Sequence, residues 1–442
     1  MNASLRVSMF QAVTVALIVA GFSSEGTAVP VSTGLALQYD GTNVSTILGN
    51  QVASWNNQGS LGIQGNVAPR LSTARPTVLV NSLNSHNVVN FAGQDQEVLR
   101  SGAFSSPLAQ ANTLFIVMNN TGANSPVPFD GVVGVAGRNF LQTLSNGTFH
   151  LYAGASVFGG SGGLTNQYLI YSVRYDQAAS TIHANGNLAY SVASTIGTQS
   201  LEAVGIGNSD PNNSPASLAL TGQIAEVLFY DTPLNQAERL ITENYLSSKF
   251  NVGPTVAGVN RTLGANDLYA GDLNTNGDYD RDVFGIGQVS GQASTLSASA
   301  GFAIQITGGL DNGDSLLAGH KVVSNSLDEF NWNRAWYVDN RLDGNETLTL
   351  SFDWSDSGLG PVDPALIELM FSATDGGQFT TVATGILVGD TVTFSGLLAS
   401  DLLSGYYTLG VTPPAPEPSS CLLLVFGSML LACGRRRNRS AA

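Results

Sequence analysis

The chain has 442 residues, of which 50 are glycine, and only 11% of its side chains are charged, against roughly 25% in an average soluble domain. This composition excludes a coiled coil. Acidic side chains outnumber basic ones by 32 to 17, and such a surface repels phosphate, which argues against a nucleic-acid partner. Without the two ends, 12 basic and 30 acidic side chains remain, a net charge of −18. Both cysteines, Cys421 and Cys433, lie near the carboxyl terminus, so the body has no disulfide.

The first 28 residues have the pattern of an export signal. Arg6 gives a positive start, residues 7–22 are mostly apolar, and residues 26–28 (Gly-Thr-Ala) supply the small side chains that a signal peptidase selects. Pro30 would break any helix that continued from this run. We therefore expect an exported protein that loses residues 1–28 as a signal peptide.

The last 30 residues combine a short motif, an apolar run and a basic end. As a helix, the 13-residue run at 421–433 is about 20 Å long, well short of the ~30 Å hydrocarbon core, so a permanent span would be strained. The arrangement resembles the PEP-CTERM sorting tail of exported bacterial proteins. The residues that carry this resemblance are Pro416, Glu417, Pro418, Arg435, Arg436 and Arg437.

This resemblance implies routing. It implies that the export machinery delivers the chain, that an exosortase-type membrane enzyme recognises the tail, and that the protein reaches the cell surface or extracellular matrix. The arginines would stay on the cytoplasmic side by the positive-inside rule. Similar tails occur on some ice-binding proteins, but the motif does not imply ice binding. The alternative is an ordinary membrane anchor that is retained.

Short apolar or alternating runs separated by Gly, Asn, Asp and Pro fill residues 29–253, and they predict an all-β sandwich. The clearest runs are 35–39, 52–55, 88–91, 114–118, 168–173 and 224–230. One helix is predicted after them, with Asn235 as its cap, Glu238 completing a capping box and a mainly apolar stripe on one face. We expect this helix to support the sandwich locally.

The order of these segments resembles the LamG-like, concanavalin A-like jelly-roll domains of exported bacterial proteins. The segments that carry the resemblance are Tyr39-Asp40, 51–55, Arg75-Pro76, 89–93 and 222–231, with the following Leu234, Glu238 and 244–246. The resemblance covers about half of the chain and implies two packed antiparallel sheets whose face or end loops can hold a carbohydrate or a protein.

Some proteins with this sandwich are glycoside hydrolases, which place two carboxylates about 5 to 9.5 Å apart around the sugar bond. No strand here carries acidic residues at i and i+2 or i+4. Glu226 and Asp231 are five apart, which sends them to opposite faces of a regular strand, so we interpret Glu226 as an exposed strand residue or a partner of Arg239. The histidines, His86, His150, His183 and His320, are scattered singly, without zinc-ligand spacing.

A linker at 253–258 precedes a second β-sandwich module, predicted over residues 254–412. Its clearest strands are 302–306, 336–338, 348–353, 367–371, 391–394 and 406–411. Several segments resemble an uncharacterised β module that follows LamG-like domains in other exported bacterial proteins. This resemblance implies architecture and no chemistry.

Residues 272–282 are a candidate calcium loop. Side-chain oxygens fall at positions 1, 3, 5, 7 and 9, with Gly277 at position 6, as in a calcium-wrapping loop. The ligand residues are Asp272, Asn274, Asn276, Asp278 and Asp280. Position 12 is Val283 instead of a carboxylate, so an Asx-rich turn is the alternative.

Three functions follow from these observations. The first is a non-catalytic exported protein of the cell surface or matrix that binds carbohydrate or protein through its LamG-like domain. The alternative is a concanavalin A-like glycoside hydrolase or lyase, and the third is a purely structural envelope component. The sequence predicts no catalytic residue, and calcium is the one cofactor that it suggests.

Overall fold

The computed structural model describes residues 29–132, 137–163, 166–209, 216–253, 263–321, 331–332, 334–359, 363 and 366–411. Over these residues the chain forms four antiparallel sheets and one α-helix, so the predicted all-β sandwich class is confirmed. The predicted signal peptide, the sorting tail with its short apolar helix, and nearly all of the predicted linker lie outside the described residues.

Strands of the first module form where β-branched and aromatic residues alternate between turns rich in Gly, Asn and Asp. They are β1 (Leu35–Asp40), β2 (Val44–Ile47), β3 (Gln51–Trp55), β4 (Ala68–Pro69), β5 (Thr77–Leu83), β6 (His86–Ala92), β7 (Leu99–Arg100), β8 (Asn112–Asn120), β9 (Phe129–Asp130), β10 (Phe140–Thr143), β11 (Phe149–Tyr152), β12 (Ser156–Gly159), β13 (Tyr168–Tyr175), β14 (Thr181–Ala184), β15 (Asn187–Ser191), β16 (Gly205–Ile206) and β17 (Thr221–Tyr230).

Two sheets of this module pack face to face. Sheet A has the order β15-β14-β13-β8-β17-β6-β5-β3-β2, with β1 also pairing with β17, and sheet B has the order β12-β11-β10-β9-β16-β7-β4. Side chains from both sheets share one core that includes Trp55 and Phe91. Across it the rings of Phe129 and Phe229 stack with their centroids 5.7 Å apart. The alternation of inward and outward residues along each strand therefore builds the sandwich.

Helix α1 (Gln236–Phe250) begins where the sequence predicts it. The Asn235 side chain accepts a hydrogen bond from the Glu238 N–H at 3.0 Å, and the Glu238 carboxylate accepts one from the Asn235 N–H at 2.9 Å. The predicted capping box is confirmed. The helix ends at Asn251, which adopts a left-handed conformation with φ of 50°.

The second module follows the same alternating principle. Its strands are β18 (Arg281–Val289), β19 (Gln292–Ser294), β20 (Leu296–Ser299), β21 (Phe302–Ile306), β22 (Ser315–His320), β23 (Trp336–Asn340), β24 (Thr347–Asp353), β25 (Ile367–Ser372), β26 (Thr380–Thr384), β27 (Ile386–Val388), β28 (Thr391–Leu398) and β29 (Gly405–Val411). Sheet C has the order β19-β18-β22-β23-β29-β25-β26, and sheet D has the order β20-β21-β24-β28-β27. Phe302 and Phe352 stack at 4.3 Å in their common core.

Short 3₁₀ turns connect several of these strands. Those in the described part of the chain are Gly41–Asn43, Leu48–Asn50, Gly62–Gly65, Gln177–Ala179, Ala216–Leu218, Gly264–Asn266, Asn274–Asn276, Ser355–Ser357 and Ala399–Asp401.

The helix α1 lies between the two modules, and this differs from the sequence prediction. One side packs on sheet A, and the other meets β18 and β19 of sheet C. A shared core joins Phe115 and Tyr245 of the first module to Tyr269, Val283 and Leu317 beyond the helix. Polar positions that a one-sided helix would expose, such as Thr242 and Ser247, are consequently buried as well. The helix is the joint between the modules, not a local support for one of them.

A buried lysine fastens the last turn of α1 to sheet A. Lys249 Nζ donates to Asp40 at 2.5 Å, to Glu226 at 2.8 Å and to the Tyr245 hydroxyl at 2.8 Å. Asp40 and Glu226 face each other across β1 and β17. Burial alone would lower the pKa of Lys249, but these two carboxylates raise it well above its usual value. The lysine therefore stays charged, and its ion pairs hold the helix to the sheet.

Removing this cation should destabilise the protein strongly. We expect Lys249→Met to lower the free energy of unfolding by about 3–5 kcal/mol, because two buried carboxylates would lose their counter-charge. The matched control is Lys321→Met: Lys321 pairs with Asp375 at the surface, so its loss should change the free energy by at most about 1 kcal/mol. Urea unfolding of both variants measures the difference. Equal losses would contradict this role for Lys249.

Candidate functional site

The structure corrects the interpretation of Glu226. This side chain was expected to be exposed or to pair with Arg239, but it is fully buried, and Arg239 pairs with Glu243 at 2.7 Å. The reason is a bulge in β17 next to Glu226, together with α1, which covers this face of sheet A. Asp40, the carboxylate that faces Glu226, is also only 2% exposed, so Asp40 and Glu226 cannot flank a sugar bond.

The protonation of Glu226 follows from its burial. Burial raises the pKa of Glu226 to about 6, against the attraction of Lys249 and with a further contribution from Asp40. A raised pKa favours the protonated form in the folded state. The stability that protonated Glu226 contributes is therefore complete below the usual glutamate pKa and is lost as the pH rises through about 6.

The four histidines lie apart in the structure. His86 packs edge-on against Phe250, and His320 contacts Asp282 at 2.7 Å. His150 is on sheet B, and His183 is on sheet A. Across the described ranges, no group of three or more His, Cys, Asp and Glu side chains could hold a metal ion.

The side chains of the candidate calcium loop contact several different neighbours. Asp272 accepts a hydrogen bond from Ser248 of α1 at 2.8 Å, and Asp280 accepts one from Asn84 at 2.6 Å. Asn276 donates to the Ala270 carbonyl at 2.7 Å. In this structure the loop therefore packs against its surroundings.

Two properties of the loop suit a cation nevertheless. Gly277 has a φ of 91°, the left-handed conformation that a tight turn at position 6 requires. Burial, followed by repulsion from Asp267, raises the pKa of Asp272 to about 8, and burial raises that of Asp280 to about 6. A bound cation would relieve this cost of ionising the carboxyls. Calcium binding remains a prediction.

Calorimetric titration with calcium chloride tests this prediction. If the loop binds calcium, the wild type should give a binding isotherm that Asp272→Ala abolishes, because the first ligand is lost. Asp311→Ala, in a turn of the second module, is the control and should leave the isotherm unchanged. Identical flat traces for wild type and Asp272→Ala would mean that the loop is only a turn.

Sheet B presents a polar and aromatic face away from the core. Strand register places one row of outward residues side by side across β7, β16, β9, β10 and β11, and a second row two residues further along. We call this the outer face of sheet B, and define it by Arg100, Asp130, Phe140, Gln142, His150, Tyr152 and Phe158.

Arg138 crosses this face from the chain that leads into β10. Its guanidinium forms a two-point ion pair with Asp130, in which Nε lies 2.9 Å from Oδ1, and it stands 5.5 Å from the ring centre of Phe140 and 5.7 Å from that of Tyr152. Asp130 also accepts a hydrogen bond from Ser209 at 3.0 Å. Burial raises the pKa of Asp130, although Arg138 acts in the opposite direction. Two-point pairs of this kind fix the arginine in place.

His150 and Phe158 form a stacked pair of rings beside Arg138. Their rings stack at 4.0 Å, and Phe158 is 55% exposed. His150 Nδ1 lies 2.9 Å from the Gln142 amide oxygen, which can only accept, so Nδ1 carries the proton and Nε2 is an acceptor. Nε2 is buried and has no partner in the described part of the chain. Burial, with repulsion from Arg138, lowers the pKa of His150 to about 4, so the ring is neutral near pH 7.

A second carboxylate lies near the Arg138 segment. The backbone N–H of Glu202 donates to the Gly137 carbonyl at 3.4 Å. The Cγ atom of Glu202 is 3.1 Å from the position that a Cβ atom would occupy if Gly137 carried one. Glu202 is half-buried, in contrast to Asp130, so it is the more accessible acid at this end of sheet B.

Sequence reasoning missed this face. It treated His150 as a lone histidine and assigned no role to Arg138, Tyr152 or Phe158. The alternation within residues 149–152 does place His150 and Tyr152 on one side of a strand. The other residues of this face come from the pairing of β11 with β10 and β12. No local sequence pattern shows the register of that pairing.

The residues of the predicted sorting motif, Pro416, Glu417, Pro418, Arg435, Arg436 and Arg437, lie outside the described residues. Among the helices that the structure describes, none has the length and apolar character needed to cross a membrane.

Comparison with known proteins finds similarity to solved structures alone. No protein-family model and no curated protein matches the chain. Among the structures is a Trypanosoma rangeli sialidase with the inhibitor DANA, at 14% identity and a TM-score of 0.30, covering 48% of this chain and 33% of the sialidase. Another is domain 4 of AbnA, a GH43 extracellular arabinanase of Geobacillus stearothermophilus, with arabinotriose, at 14% identity and a TM-score of 0.31, covering 47% of this chain and 96% of that one.

A Limulus polyphemus SAP-like pentraxin is also similar, at 14% identity and a TM-score of 0.24, over 31% of this chain and 71% of the pentraxin.

The two enzymes named above are glycosidases, and this contradicts the expectation of a non-catalytic protein in favour of the glycoside hydrolase or lyase alternative. The expectation is withdrawn. Similarity at this level transfers neither a residue role nor an activity, and this chain corresponds to only about a third of the sialidase.

Proposed function

We propose that this protein acts on carbohydrate as a glycoside hydrolase or lyase, and that the sugar lies over the outer face of sheet B. The observation that carries the proposal is the stacked pair of His150 and Phe158 beside the fixed Arg138. The names of the similar structures agree with this class, but the support comes from the chemistry of the face.

A sugar has two kinds of surface, and this face offers a partner for each. The C–H face of a sugar ring is apolar and packs on exposed aromatic rings such as Phe158. Its hydroxyl groups need donors and acceptors, and the Tyr152 hydroxyl and the Glu202 carboxylate, both on half-buried residues, supply them. A few convergent polar groups beside aromatic rings are typical of small-ligand sites.

The reaction requires a group that moves a proton. We assign this role to Glu202, because it is the accessible carboxylate near Arg138. Asp130 is fully buried and bonded to Arg138, so it acts as a positioning residue that holds the guanidinium over the site. Phe158 binds the sugar and takes no part in bond cleavage.

The test is release of reducing sugar or unsaturated product from a panel of polysaccharides by the full chain. We expect release by the wild type, a loss of roughly 100-fold or more in Glu202→Gln, and a raised KM with unchanged kcat in Phe158→Ala. The controls are Asp231→Asn and Ile386→Ala, at exposed positions away from sheet B, and both should retain activity.

The other outcomes of this assay decide against the proposal. Binding to a glycan array without any release would contradict the enzymatic role. Neither binding nor release would leave the purely structural role. Release that Glu202→Gln does not change would move the reaction away from this face.

We further propose that the chain is exported and that its tail is recognised by an exosortase-type enzyme, which delivers the protein to the cell surface or matrix. The sequence pattern of Pro416, Glu417 and Pro418, followed by an apolar run and Arg435, Arg436 and Arg437, supports this route. Intact-mass measurement of the protein from its native host should give a mass without residues 1–28 and without the tail. A mass that includes residues 419–442 would exclude processing of the tail.

A further inference from the structure

A cavity of 260 Å³ lies on sheet A, where β13, β14 and β15 meet the start of α1. Register places Arg174 beside Thr181, and Ser172 beside His183. Ser172 hydrogen-bonds Glu243, so these residues stand on the side of the sheet that carries the helix. Gln292 of the second module closes the cavity and accepts a hydrogen bond from the Gln236 N–H at 2.9 Å. Both modules therefore line it.

The charged side chains that line this cavity are basic. Arg174 and Arg239 lie in its wall together with His183, whereas their carboxylate partners, Asp176 and Glu243, are outside the lining. Glu243 binds Arg239 through both oxygens, at 2.8 and 2.7 Å. These pairs hold the guanidinium groups in place around the cavity. In a chain of net charge −15, the charged residues in the lining of this cavity are therefore arginines, while their carboxylate partners are outside it.

Two polar atoms of the wall lack a partner. Arg174 Nε and His183 Nδ1 are buried, and neither makes a hydrogen bond within the described part of the chain. Buried polar groups in proteins are nearly always hydrogen-bonded, so each exception needs an explanation, and a bound group that completes the site is one. Burial and repulsion from Arg239 lower the pKa of His183 to about 4, so this ring is neutral near pH 7 and can donate or accept without adding charge.

The remaining lining has the mixed character that a sugar requires. The side chains of Thr181 and Gln292 offer hydroxyl and amide groups, while Leu188 and Leu234 provide an apolar edge. The volume of 260 Å³ is just below the usual range of small-ligand sites, about 300–1,000 Å³, so it suits one sugar residue rather than a chain.

We propose that this cavity binds a single acidic sugar of the uronate class. Its carboxylate would lie against Arg174 and Arg239, and its ring would lie between Thr181, Gln292 and the leucine edge. This site is on sheet A and is independent of the proposed reaction on sheet B.

Binding of galacturonate to the full chain, measured by calorimetry, tests the proposal. Galactose has the same ring without the carboxylate, and acetate has the carboxylate without the ring. We expect galacturonate to bind at least about tenfold more tightly than either, as one well-placed charged contact provides. Equal binding of galactose and galacturonate, equal binding of acetate, or no heat for galacturonate would overturn the proposal.

Variants at the cavity separate charge from folding. Leu188 is 61% exposed, so Leu188→Asp and Leu188→Lys should both fold, yet the aspartate should weaken galacturonate binding by roughly fivefold or more while the lysine does not. Arg174→Gln should weaken it similarly. Its matched control is Arg341→Gln, because the Arg341 side chain is also 39% exposed and also pairs with an aspartate, but lies in the second module.

Unchanged binding in Leu188→Asp and Arg174→Gln, or the same loss in Arg341→Gln, would place the sugar elsewhere. Because Phe158 is on sheet B and Glu202 lies just before β16 of that sheet, sugar release and galacturonate binding can fail independently. Loss of one leaves the other hypothesis standing.

Discussion

The whole structure depends on a helix that is buried on both sides. Helix α1 packs on sheet A with one surface and on sheet C with the other, so its polar side chains must find partners inside the protein. Lys249 is the extreme case, since a buried ammonium is stable only among compensating charges. Asp40 and Glu226 provide them from neighbouring strands, and three segments distant in sequence are thereby tied at one point.

This constraint also explains where the two candidate sites lie. The cavity proposed to bind the acidic sugar lies at the start of α1, beside the edge strand β15 of sheet A. The cavity there includes residues from both modules because the helix holds them together. The one α-helix of the described residues packs on sheets A and C, and on the outer face of sheet B Phe158 is exposed.

Local features were predictable from the sequence because they are encoded by neighbouring residues. The capping box of Asn235 and Glu238 and the strand at 302–306 agree with the structure residue for residue. The prediction that Glu226 is exposed was wrong because its environment is set by a bulge and by a helix that folds back over the strand. The outer face of sheet B was not predicted, for a related reason. Asp130 and Arg138 are close in sequence, but His150 and Phe158 join them only through strand pairing.

The scarcity of lysine has an experimental consequence. The chain contains two lysine side chains, and one of them is enclosed by the joint between the modules while the other lies at the surface beside Asp375. An amine-directed reagent would thus modify Lys321 in the intact protein and reach Lys249 only when the helix leaves the sheet. The rate of modification at Lys249 therefore measures how often the last turn of α1 separates from sheet A.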